Sequence, residues 1–435
     1  MTVSRRQVLA GLAGAAAVPG LGALPAAAAG RPPGRGRGRR VRIGAEQLIA
    51  SDYRAVRGER VGIISNPTGV LPDLRHEVDE MAASPAIDLV AAFGPEHGFR
   101  GAGQAGESGG SFTDERTGLT VYDTYGRSPA EIADFFDDAG VSAVMFDIQD
   151  VGARFYTYIW TMYDSMCAAA RSGIRFIVLD RPNPITGAGA FGPVLHEEYA
   201  TFVGRKPISQ QHGMTVGELA RLFNAEFLPD DPGSRRRSVD LDVVEMRGWH
   251  RRMTFAETGL PWVMPSPNMP TVDTAWVYPG TCMFEGTNAS EGRGTTRPFE
   301  LTGAPYVDHH WTQELNAQQR PGASFRETYF SPTFSKWQGE TCGGTQLYVT
   351  DSREFDAVGT GVAMLVTAKR LYPDTFEWRY DSWDDEHPYW IDKLTGSAYV
   401  RTAIDAGKDA DAVVAGWQGE LDAFRAKREQ YLLYH

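Results

Sequence analysis

Val141-Ser142-Ala143-Val144-Met145-Phe146-Asp147-Ile148-Gln149-Asp150 places six uncharged residues ahead of two acids and an amide. A short apolar run that stops in a polar loop reads as a buried strand. Three others share this form. Arg60-Val61-Gly62-Ile63-Ile64 runs into Ser65-Asn66-Pro67-Thr68-Gly69, and residues 87–93 run into Gly94-Pro95-Glu96-His97-Gly98. Residues 174–179 run into Asp180-Arg181-Pro182-Asn183-Pro184. Helical stretches separate them. Ser128-Pro129-Ala130-Glu131 has a capping serine, a first-turn proline and the acid of a capping box, and Thr215 can cap a later helix. Strands alternating with helices predict parallel βαβ units buried on both faces. In such sheets ligands bind beyond the carboxyl ends of the strands, where each of these polar loops lies.

Among the 435 residues, 42% are apolar and 23% charged, enough for a sizeable core. A net charge of −12 argues against nucleic acid as a partner and means that an anionic ligand needs placed arginines. Cys167, Cys282 and Cys342 are too few and too scattered for a disulfide framework or a zinc site, and buried free thiols are expected. No metal or cofactor is expected.

Residues 1–29 read as an export signal. Ser4-Arg5-Arg6-Gln7-Val8-Leu9 resembles a twin-arginine motif, and a weakly apolar run then leads to Pro25-Ala26-Ala27-Ala28-Ala29. Fewer than twenty Gly/Ala-rich residues make a poor membrane span. Cleavage would leave a secreted or cell-envelope protein with no span. Residues 30–42 form a basic Pro/Gly/Arg linker without apolar anchors.

Several motif matches fail on context. Gly101-Ala102-Gly103-Gln104-Ala105-Gly106 fits a dinucleotide fingerprint, and Gly106-Glu107-Ser108-Gly109-Gly110 fits a nucleophile elbow. Both motifs require a strand directly before and a helix directly after. Asp308-His309-His310 is discounted as a metal site, because adjacent histidines in a strand face opposite ways.

Glu96 and His97 sit in a turn flanked by Gly94 and Gly98 and stiffened by Pro95. A partly buried carboxyl there suits a general acid, since burial favours the protonated form. Asp147, Gln149, Asp150, Arg154, Tyr156, Thr157 and Tyr158 make the third loop the richest. Polar groups that match hydroxyls, beside rings that stack on a pyranose, suit a sugar site. Asn183, His212 and Asn268 lie in further polar turns. The long polar run from Glu285 through Asn288, Arg293 and Arg297 to Phe299 carries little core material, and its arginines suit an anionic group.

Across these residues the chain resembles the exo-β-N-acetylmuramidases, glycoside hydrolase family 171, once catalogued as a domain of unknown function. The resemblance rests on Gly94-Pro95-Glu96-His97-Gly98-Phe99-Arg100-Gly101, Ala105-Gly106-Glu107, the run from Phe146 to Tyr158, Asp180-Arg181-Pro182-Asn183-Pro184, and Glu285-Gly286-Thr287 through Pro298-Phe299. It implies a Rossmann-like catalytic domain over residues 43–268, a smaller α/β domain over 269–435, and an active-site cleft between them. It also implies release of N-acetylmuramic acid from the non-reducing ends of peptidoglycan fragments, with Glu96 as the acid. The lactyl carboxylate of that sugar would meet Arg154, Arg293 or Arg297. The partner of Glu96 stays open: the substrate's acetamido group, or a carboxylate among Glu107, Asp147 and Asp150. Two other readings compete: a muropeptide-binding protein without catalysis, and an esterase or amidase using Ser108.

Overall fold

The computed structural model describes residues 40–435 except 102, 105, 109 and 381–383. The proposed export signal and nearly all of the linker lie outside the described residues. So do parts of both glycine-rich motifs and Ala105 of the Ala105-Gly106-Glu107 signature.

Among the described residues there are twelve strands: β1 (Arg60–Ser65), β2 (Asp88–Gly94), β3 (Phe112–Thr113), β4 (Thr120–Asp123), β5 (Ala143–Asp147), β6 (Arg175–Leu179), β7 (Phe191–Val194), β8 (Ser209–Gln211), β9 (Asp240–Val244), β10 (Leu301–Ala304), β11 (Ala323–Phe330) and β12 (Cys342–Val349). Seven build one sheet in the order β3-β4-β2-β1-β5-β6-β9, parallel except for the β3–β4 pair. The four strands expected from sequence are β1, β2, β5 and β6, displaced at their ends by no more than a residue or two.

The sheet is covered on both faces. Along β5, Val144 and Phe146 enter one core with Phe93, Phe136 and Val178, while Ala143 and Met145 enter the other with Val61, Ile63 and Met81. A strand's period of two makes that division, and helices supply the cover. Pro129–Ala139 starts with the Ser128–Glu131 capping box, and Val216–Glu226 with one made by Thr215 and Glu218.

β10, β12 and β11 form a separate antiparallel sheet, against which the helices Val272–Thr281 and His309–Ala317 pack, and Ala357–Leu371 packs on those two helices. The larger core runs on without a break from the parallel sheet into this region, through Tyr278, Phe284 and Trp311. The chain end returns to the first region: Tyr434 Oη donates to Asp180 Oδ2 (2.7 Å) at the end of β6. Residues 40–435 thus make one compact unit.

One local expectation is corrected. Asp308, His309 and His310 are not in a strand. Asp308 caps the helix His309–Ala317 by accepting from His310 N, and the two exposed imidazoles lie side by side, 4.1 Å apart. A capping aspartate accounts for this geometry. Cys167, Cys282 and Cys342 are free and buried. No helix among the described residues is long and apolar enough to cross a membrane.

Candidate functional site

β1 has β2 on one side and β5 on the other, both parallel to it, so the strand order reverses there, the place where such sheets form a crevice beyond the strand ends. A cavity of about 290 Å³ lies among the loops of this region and is closed by the second half of the chain. Glu96, His97, Gly106, Tyr156, Thr157 and Tyr158 come from the first half, and Asn268, Tyr278, Glu285, Arg293, Phe299 and Trp390 from the second.

Glu96 is held at both oxygens. Gly106 N donates to Oε1 (2.8 Å) and Thr157 Oγ1 donates to Oε2 (3.0 Å). Gly106 takes φ +81°, a conformation that glycine supplies without strain, and this aims its N–H at the carboxyl. His97 Nδ1 lies 3.1 and 3.0 Å from the carbonyls of Gly103 and Gln104. Carbonyls only accept, so Nδ1 carries the hydrogen and a neutral His97 presents a bare Nε2, 3.8 Å from Glu96 Oε1. Glu107 is exposed and caps its own turn, its Oε2 accepting from Gln104 N, while its backbone carbonyl accepts from His97 N.

Aromatic rings make one side of the cavity. Tyr156 stands edge-on to Tyr158 (5.3 Å) and Tyr278 (5.6 Å), and Tyr278 packs edge-on to Phe299 (4.7 Å). Burial pushes the hydroxyls of Tyr156 and Tyr158 above their ordinary range, helped at Tyr156 by Tyr158 and then Glu96 and at Tyr158 by Glu96, so both stay protonated. Tyr158 Oη gives its hydrogen to Pro265 O.

Next to these rings the wall is ionic. Arg293 grips Glu285 (2.6 Å) and Glu291 (3.3 Å), its guanidinium 5.0 Å from the centre of the Phe299 ring. Lys336 joins Glu291 from behind (3.0 Å). Burial alone would raise the Glu291 carboxyl, but Lys336 and Arg293 hold it below its ordinary value. Two acids and two bases thus balance within one network.

The other residues singled out in the sequence lie away from the cavity lining. Asp147 is fully buried against Arg181, which also reaches Glu77 (3.1 Å). Burial and the Asp147 carboxylate push Glu77 well above the usual carboxylate range. Asp150 Oδ2 accepts from Gly152 N (2.7 Å) and lies 3.1 Å from His212 Nε2. Because His212 Nδ1 accepts from Met214 N, Nε2 is the donor to Asp150. Gln149 donates to the carbonyls of Asp150 and Pro182, and Asn183 to that of Met214. Arg154 is wholly buried; it donates to the carbonyls of Pro193, Ile208 and Leu394, and burial brings its pKa down to about 9. Arg297 is half-exposed on Glu300 (3.2 Å), and Asn288 donates to Thr375 O.

Some lining residues carry no signal recognised in the sequence: Tyr125, Phe202, Tyr278 and Trp390. Tyr125 comes just after the end of β4, where the strand-end rule would flag it if so short a strand, four residues, were recognisable.

A carboxyl held at both oxygens, a wall of rings and a second carboxylate paired to an arginine define a small-molecule cleft of the carbohydrate-active type. Comparison with known proteins carries this further. The description "Exo-beta-N-acetylmuramidase NamZ, N-terminal" matches residues 61–273, and its C-terminal counterpart matches residues 276–434. The chain is 47% identical to a peptidoglycan beta-N-acetylmuramidase, NamZ, of Bacillus subtilis (strain 168), over 91% of its own length and 92% of that protein. Two crystal structures of DUF1343 family proteins from Bacteroides fragilis NCTC 9343 are also similar, each aligned over 91% of this chain and 99% of its own length. Their TM-scores are 0.82 and 0.69, at 34% and 30% identity. The chain belongs to the NamZ exo-β-N-acetylmuramidase family.

Proposed function

We propose that this protein is an exo-acting glycosidase that releases N-acetylmuramic acid from the non-reducing ends of peptidoglycan fragments. The observation that carries the reading is the pairing of Glu96 and Glu285 on the wall of one ring-lined cavity. Hydrolysis of a glycoside calls for a group that protonates the leaving oxygen and, outside substrate-assisted routes, for a second carboxylate. Glu96 takes the acid role in this reading. Glu285 takes the second role, its charge kept by Arg293. Glu107, Asp147 and Asp150 are set aside for it because none lines the cavity. Arg293 is the arginine that does line it, and we assign it the lactyl carboxylate.

The esterase reading loses support at Ser108. Its Oγ donates to Asp123 Oδ2 (2.5 Å), with no histidine in hydrogen-bond contact among the described residues. Export through the twin-arginine route to the cell envelope or beyond completes the proposal. It rests on Arg5, Arg6 and the alanine-rich run after them; secretion unchanged by Arg5→Lys/Arg6→Lys would reject it.

The direct test is turnover of an aryl β-N-acetylmuraminide against the corresponding glucosaminide, which lacks the lactyl ether. The muraminide is expected to win by roughly ten- to a hundredfold, the worth of one charge-assisted hydrogen bond. Arg293→Ala should erode that preference, while Arg297→Ala leaves it intact. Binding without hydrolysis of either sugar would return the protein to the class of non-catalytic binders.

A further inference from the structure

Beside the cavity lies a second and larger space of about 790 Å³. Glu285 and Arg293 line both, so this ion pair is the wall they share. The far side carries Trp337, Trp378 and Tyr380, with Asn288 and Glu377 between them. Each indole is fixed through its N–H: Trp337 Nε1 donates to Asn288 O (2.7 Å) and Trp378 Nε1 to Asp405 Oδ1 (2.9 Å). Tyr380 is 59% exposed. The loop that presents Trp337 holds two non-glycine residues in the left-handed region, Ser335 (φ 71°) and Trp337 (φ 59°). It is tied down by Lys336, whose Nζ donates to the carbonyls of Phe284 and Ala289 and to Glu291. Strained backbone kept in place by such anchors marks a position where conformation is required.

The cavity is the smaller of the two spaces, while an exo-acting enzyme must also accommodate the sugars on the far side of the cleaved bond. Another recess, of about 330 Å³, touches the cavity through Phe202. Among the described residues, Phe202 is the one ring that lines it. The groove with three aromatic side chains and polar edges suits pyranose rings better.

We propose that this groove binds the saccharide on the leaving-group side of the cleaved bond, its rings packing on Trp378, Trp337 and Tyr380. The proposal rests on the reading of the cavity as the site of glycoside cleavage.

The test compares two substrates in wild type, Trp378→Ala and Tyr380→Ala. One is an aryl β-N-acetylmuraminide, whose leaving group is a single small ring. The other is an oligosaccharide glycan fragment with a terminal N-acetylmuramic acid. Loss of kcat/KM on the oligosaccharide should exceed loss on the aryl glycoside by about tenfold, mainly through KM. Tyr380→Ala is the safer variant, since that residue is mostly exposed. Equal losses on both substrates, or none on either, would overturn the groove assignment while wild-type turnover upheld the cavity. Failure of wild type to hydrolyse either substrate would overturn both.

Discussion

Asp147 and Glu96 stand at the ends of β5 and β2, on either side of β1 in one sheet, and do opposite things. Asp147 is the last residue of β5, where Arg181 covers it and Glu77 shares the guanidinium, out of contact with solvent. Glu96 stands two residues beyond β2, carried past the sheet edge by Gly94 and Pro95. Its oxygens take one hydrogen bond each, from Gly106 and Thr157, and it lines the cavity. The carboxyl end of a parallel strand is therefore not enough to make an acid reactive. Its partners decide. A carboxylate saturated by a buried guanidinium fixes loops together, whereas one held by two neutral donors at a cavity wall can exchange a proton with a ligand.

The sharpest way to break this contrast is Glu96→Gln, which keeps shape and removes the exchangeable proton. Turnover should fall about 10²–10⁴-fold with unfolding stability nearly unchanged. A variant with near-wild-type kcat would place the acid elsewhere, with Glu285 the next to test. The complementary change is Arg181→Ala. It strands Asp147 in the interior, and urea unfolding should show a loss of about 3–5 kcal/mol. Activity per folded molecule should survive; selective loss of activity at full stability would mean that the buried cluster belongs to the site after all.

The same contrast explains what is legible in the sequence. Apolar runs ending in polar loops mark β1, β2, β5 and β6, because burial on both faces leaves no room for charge within a strand. The loops rich in chemistry are equally visible. Their division into cavity wall and buried scaffold is not, because Asp147, Asp150 and Arg154 look as available in sequence as Glu96 does. Only the fold reveals that Arg181 reaches Asp147, that His212 reaches Asp150, and that carbonyls from three distant segments surround Arg154. Phe202, Tyr278 and Trp390 reach the cavity from separate parts of the chain, with no local signal to unite them. His309 and His310 read as strand residues only while the capping role of Asp308 is overlooked.

Asp164 sits between these extremes and gives a finer comparison. It lies on the helix Tyr158–Ser172, with Oδ2 on Arg205 (2.5 Å) and a buried Oδ1 that has no partner. Burial pushes its pKa up to about 7, with Arg205 pulling the other way. An unfolded aspartate titrates near about 3.9. Between those values the folded protein binds more protons than the unfolded chain, so the contribution of Asp164 is fully present below about pH 4 and is lost as pH rises toward 7. Above that it changes no further. The full shift would correspond to about 4 kcal/mol, but relaxation and water penetration around a buried carboxyl lower its desolvation cost, so we expect about 1–2 kcal/mol. Asp164→Asn removes the titration and keeps the shape. Its stability relative to wild type should therefore climb by that amount between about pH 4 and pH 7, measured by urea unfolding at fixed ionic strength. A stability difference that stays level across this range would mean that Asp164 is ionised throughout, and that a single exposed arginine suffices to hold a buried carboxylate in its charged form.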